Sequence, residues 1–112
     1  MLKPSFATVV MALFAAIPAA LAGQARPEPT GFAGLAEIDR LPTWSEPVRV
    51  QYVTFLATLS PRAFALSPDG TYWAWQSGNE NAVRGALQRC NQRAGQACQL
   101  YAVDDDVVWP GK

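Results

Sequence analysis

Two cysteines, a run of three aspartates and a set of aromatic side chains are the residues of this chain whose types and spacing could do chemistry. Cys90 and Cys98, in "CNQRAGQAC", are the only cysteines among the 112 residues. A redox-active pair usually stands as Cys-x-x-Cys at a helix start, where the dipole lowers the thiol pKa. Here seven residues intervene. Two cysteines cannot complete a four-ligand zinc site without other ligands, and the chain has no histidine to supply them. The same absence removes the usual base for a serine or cysteine nucleophile. Two acids at the right separation would suffice for glycoside hydrolysis, but no spacing marks out such a pair. Asp104-Asp105-Asp106 lacks the ligand pattern of a calcium loop and is expected to be a solvated turn. No catalytic residue, metal site or cofactor is expected.

Cysteine chemistry depends on compartment. Met1-Leu2-Lys3 precedes an apolar run, "FATVVMALFAAI", and small residues follow at Ala20 and Ala22. A short positive start, an apolar stretch of about a dozen residues and small residues before a cut mark a secretory signal peptide. The stretch is shorter than the roughly 20 residues that cross a bilayer. Residues 1–22 are therefore expected to be a leader, cut after Ala22 or Ala25, and the chain to be periplasmic or secreted with no stable membrane anchor. Removing the leader leaves seven arginines and Lys112 against nine acids, a net charge of −1. A near-neutral chain lacks the concentrated positive field that nucleic acid or an anionic membrane requires.

The elements that would position these residues follow from periodicity and punctuation. Residues 23–43 are rich in glycine and proline and read as a tether, which makes 44–112 a single domain. Val48, Tyr52, Phe55, Leu56 and Leu59 fall on one face of a helix, with Ser45 as N-cap, Pro47 in the first turn and Ser60-Pro61 as the stop. "RAFALSPDGTYWAWQ" reads as a hairpin, with strands over 62–66 and 71–76 and a turn that uses Pro68 and Gly70. A second helix carries Val83, Ala86, Leu87, Cys90 and Ala94 on its apolar stripe, with Ser77 and Glu80 as a capping box or Asn79 as the cap. Gly95 ends it. Gly85 inside it costs roughly 1 kcal/mol against alanine, which suggests close packing there. A second hairpin follows, in which Leu100 and Ala102 alternate with Tyr101 and Val103 before the acidic turn. The order α-β-β-α-β-β predicts an α+β fold: an antiparallel sheet of about four strands with the helices on one face.

In that arrangement Cys90 lies near the end of the second helix and Cys98 begins the strand that returns over the same core. A helix end, a glycine turn and a returning strand can bring two Cα atoms to about 5.5 Å. A structural disulfide is expected, since a small exported domain gains most from one.

The stretch from Arg62 to Trp109 resembles a type of small secreted bacterial domain. The residues that carry the resemblance are "AFALSPDG", the aromatic strand after it, "ALQRC" and "CQLYAVDDDVVW". It implies the fold of this half of the chain and no activity. Such chains sometimes bear the name 5-aminolevulinate synthase. That family uses pyridoxal phosphate on an internal lysine within a chain several times longer, and this sequence departs from it in both respects.

A sheet with helices on one side would leave its other face open, and Tyr72, Trp73, Trp75 and Tyr101, with Trp109, would then either form an aromatic binding surface or fill the core beneath the helices, where such rings more often go in a small domain. The expected function is a noncatalytic interaction module that recognises a protein through that face. The alternative is a cell-wall or glycan-binding protein, at most a weak hydrolase working with two carboxylates.

Overall fold

The computed structural model describes residues 26–111. The leader expected over 1–22 lies outside them. The first helix, α1, spans Glu46–Leu56, and the second, α2, spans Ala82–Ala94. Strands β1 (Arg62–Leu66), β2 (Trp73–Ser77), β3 (Gln99–Val103) and β4 (Asp106–Val107) form one antiparallel sheet in the order β2-β1-β3-β4. The fold is α+β, with the element order read from the sequence.

Helix α1 starts where its cap predicts. Ser45 is extended and its hydroxyl accepts the Val48 N–H at 3.5 Å, with Pro47 in the first turn. Val48, Tyr52 and Phe55 are its buried residues. The helix stops at Leu56, and Leu59, which the periodicity placed on the same face, is 79% exposed. Arg62 and Thr58 cap that end. The Thr58 N–H and hydroxyl bond the Phe55 carbonyl at 3.0 and 2.7 Å, and Arg62 Nη1 brings a cationic donor to the carbonyls of Phe55, Leu56 and Thr58 at 3.1, 3.0 and 2.6 Å.

The two helices lie on opposite faces of the sheet, which corrects the expectation that they share one. Every residue of β1 is buried, so neither face of it meets water. Phe64 and Leu66 enter an aromatic core with Tyr52 and Phe55 of α1, while Ala63 and Ala65 face Ala82, Ala86 and Cys90 of α2. "RAFAL" alternates bulky with small and has no polar face after its arginine, the pattern of a strand covered on both sides. Side-chain size then sets the spacing. α1 stands off on rings, with Tyr52 edge-on to Phe64 at 5.2 Å, and α2 closes onto alanines. Gly85 belongs to that close side: a Cβ there would overlap the Gln76 amide.

Strand β3 departs from simple alternation. Phe64 pairs with Ala102 and Ala65 with Leu100, so Tyr101 is an extra residue in β3. The bulge turns Tyr101 and Ala102 into the α1 core and leaves Leu100 and Val103 on the α2 side.

The described part of the expected tether is docked instead. Thr30 donates its N–H to the Val107 carbonyl at 3.1 Å and its hydroxyl to the Trp109 carbonyl at 2.6 Å. Tyr52 donates its hydroxyl to the Leu35 carbonyl at 2.5 Å, and Leu41 is 3% exposed after a 3₁₀ turn at Ile38–Arg40. The domain therefore begins by Thr30 rather than at Trp44, which is 82% exposed. Phe32, Leu35, Ile38 and Leu41 give this segment enough apolar surface to bury, although its prolines and glycines keep most of it irregular.

The start of α2 also differs. Ser77 closes β2, so the Ser77/Glu80 capping box does not form. Asn79 Oδ1 accepts the Asn81 N–H at 2.8 Å in the turn ahead of the helix. The far end agrees: Gly95 sits at φ 69° and its N–H bonds to the Asn91 carbonyl at 2.9 Å.

Candidate functional site

Cys90 and Cys98 form a disulfide across a Cα–Cα distance of 6.0 Å. Both are buried, at 0% and 8% exposure, inside the small-residue core beneath α2. The pair ties the end of α2 to the start of β3. Asn91 reinforces the junction by accepting the Cys98 N–H at 2.7 Å.

The aromatic residues do not form one surface. Tyr72 is 43% exposed and Trp73 and Trp75 are half-buried, whereas Tyr101 is 0% and Trp109 7% exposed. Tyr101 is withdrawn by the bulge in β3, and Phe32 and Trp109 pack against its ring. Burial pushes its hydroxyl pKa up to about 12, against a lowering by Arg40. That of Tyr52 rises further, first through burial and then through Tyr101 beside it. The open sheet face on which the aromatic surface depended does not exist, because a helix covers each side. The tryptophan rings are not free platforms either. The Arg93 guanidinium sits 4.7 Å over the Trp73 ring. Trp75 packs on Phe55 and donates its Nε1–H to Gln51 Oε1 at 3.1 Å.

What the fold leaves open is an edge. Among the described residues β2 is the last strand in the sheet and pairs only with β1. The Ser67 N–H donates to the Tyr72 carbonyl at 2.8 Å and the Gly78 N–H to the Pro61 carbonyl at 2.8 Å. With that register, the alternation of an antiparallel ladder turns the backbone groups of Tyr72, Ala74, Gln76 and Gly78 toward β1. Those of Trp73, Trp75 and Ser77 turn outward. Arg93 Nη1 already occupies the Trp73 carbonyl at 2.8 Å. A groove of about 390 Å³ runs along this edge, walled by Gln51 of α1, Trp73 and Trp75 of β2, and Arg89 and Arg93 of α2. A second, of about 420 Å³, continues from it over Gln76 and Arg89 to Arg84.

The opposite edge is closed. The segment at Thr30 lies along β4, and Arg26 pairs with Asp104 at 2.9 Å and with Asp106 at 3.3 Å. Asp105 pairs with Arg62 at 3.2 Å. The acidic turn is thus held by arginines, and among the described residues no group of three or more metal-ligating side chains comes together.

Charge is unevenly placed around the open edge. Helix α2 carries Arg84, Arg89 and Arg93 and no acid, and among the described residues no carboxylate lines the groove. Arg84 and Arg89 are exposed and make no ion pair among the described residues. Gln51, Gln76, Arg89 and Arg93 were not among the residues expected at a binding surface; Arg89 and Arg93 suit the negative end of the helix dipole. The one signal that could have found the arginines is a helix whose charges are all of one sign. Comparison with protein-family models, with curated proteins and with solved structures finds no match.

Proposed function

We propose that this chain is an exported, noncatalytic interaction module, acting in the periplasm or outside the cell, that binds protein through the free edge of β2. The leader-like residues 1–22 and the disulfide support the compartment. The observation that carries the binding reading is the asymmetry of the sheet: the β4 edge is covered by the chain's own N-terminal segment, while the β2 edge keeps outward backbone groups at the floor of a groove. An uncovered strand edge is a template for pairing with another chain, which natural domains usually hide. Strand addition is a recurrent way of binding extended peptides.

A photo-crosslinking residue at Ser77, on the open edge, tests the reading when compared with one at Val53, on the outer face of α1. Crosslinking in the native compartment should trap one defined protein from Ser77 and not from Val53. Equal yields of that product from both positions, or none from Ser77, would remove the edge as the binding site.

A further inference from the structure

Resting on the reading just given, we infer that the segment received by the β2 edge is an extended acidic peptide in which acidic and apolar side chains alternate. The edge supplies the backbone half of the recognition: the N–H and C=O of Trp75 and the groups of Ser77 point away from β1. Arg93, bonded to the Trp73 carbonyl, ends the available ladder on one side.

An added strand sends successive side chains to opposite faces of the sheet. On the α2 face they meet Arg89, with Arg84 farther along the same groove and Gln76 between them. On the α1 face they meet Trp75 and Gln51, an aromatic wall with a single amide. Carboxylates suit the first face and apolar side chains the second. Among the described residues no acid lines either groove, so the arginines face it uncompensated.

The same charge disfavours a second copy as the occupant. Pairing β2 with β2 about a two-fold axis would set Arg89 and Arg93 of the two copies against one another, a like-charge contact without a compensating acid.

The test is fluorescence anisotropy of labelled capped hexapeptides of alternating Glu–Val, Gln–Val and Lys–Val, titrated with the disulfide-bonded protein. The expected order of affinity is Glu–Val, then Gln–Val, then Lys–Val. Arg89→Gln should weaken Glu–Val about fivefold, the scale of two exposed ion pairs lost or rearranged, and leave Gln–Val unchanged. Arg84→Gln, farther along the same groove, should weaken Glu–Val in the same direction by a smaller factor, with a thermal melt to show that the domain stays folded. N-methylating all the valine amides of the Glu–Val peptide, and in a second peptide all the glutamate amides, should abolish binding for the set that faces β2 and spare it for the other, because only one edge of the strand donates to the ladder.

Equal affinity for Glu–Val and Lys–Val would overturn the acidic partner while leaving the edge intact. Unchanged binding of both N-methylated peptides would overturn strand pairing. Saturable binding of none of the three would overturn the inference. Crosslinking from Ser77 decides the edge itself independently of all of these.

Discussion

Arg62→Met is the substitution whose effect on stability follows most directly from the geometry. The Arg62 side chain is 7% exposed. Its guanidinium donates to four backbone carbonyls, those of Phe55, Leu56, Thr58 and Asp104, and to the Asp105 carboxylate. It also lies 5.0 Å from the Phe55 ring centroid. Methionine keeps most of the aliphatic stem and fills similar space, so the loss is mainly polar. The Phe55 carbonyl keeps the Thr58 N–H and hydroxyl at 3.0 and 2.7 Å, so the loss falls on the carbonyls of Leu56, Thr58 and Asp104. Those three are part-buried and regain water, so each charge-assisted bond costs about 1 kcal/mol. Relief of the charge's own desolvation offsets part of the sum, leaving about 2 kcal/mol. For a domain of this size that lowers Tm by about 10 °C.

Urea unfolding followed by tryptophan fluorescence measures it. Asp105→Asn is the control, because that carboxylate is 83% exposed and its ion pair is worth at most about 1 kcal/mol. Arg62→Lys should fall between, since an ammonium cannot reach the same spread of acceptors. A loss below about 1 kcal/mol for Arg62→Met, or an equal loss for Asp105→Asn, would refute the claim that helix-end carbonyls are what the arginine serves.

Three further outcomes can be checked on the purified protein. Reduction should add two hydrogens to the intact mass and cost about 2.5 kcal/mol in urea, the chain-entropy value for a loop spanning Cys90–Cys98; rapid alkylation of both cysteines in the native protein would contradict a buried bridge. Tyr101→Phe should stabilise by about 1 kcal/mol, because the Tyr101 hydroxyl is buried without a hydrogen-bond partner among the described residues; a clear destabilisation would mean that the hydroxyl is satisfied. Stability should hold up to about pH 10 and fall from there to about pH 12. The unfolded chain ionises Tyr52 and Tyr101 near 10 while burial keeps both neutral in the fold, a slope of up to about 1.4 kcal/mol per pH unit for each. Tyr52→Phe should remove about half of that slope, and a flat profile across the window would count against burial of the two hydroxyls.

Local signals in the chain were legible where one residue type does one job. Ser45 caps α1, Gly95 ends α2, and the Ser67–Gly70 turn closes through the Gly70 N–H to the Ser67 carbonyl at 2.9 Å. Gly70 is required twice there, by its φ of 77° and by the backbone of Pro42 and Thr43 packed on it. Where several weak signals competed, the reading failed. Leu59 extends the helical period on paper, but the helix ends where Arg62 collects its carbonyls. Residues 26–43 have the composition of a linker, and the apolar side chains at Phe32, Leu35, Ile38 and Leu41 bind them to a core that is visible only once assembled.

The sequence by itself determined the α+β class, the order of elements and the pairing of the two cysteines, because these depend on periodicity and on contacts close along the chain. Tertiary structure alone decided which face each helix covers, which aromatic residues reach water and which strand edge stays open. Face assignment depends on matching large side chains to large and small to small across the sheet, and the bulge at Tyr101 shifts that match by one residue. Edge exposure depends on whether a distant segment happens to lie alongside: Thr30 closes β4, and no described segment closes β2.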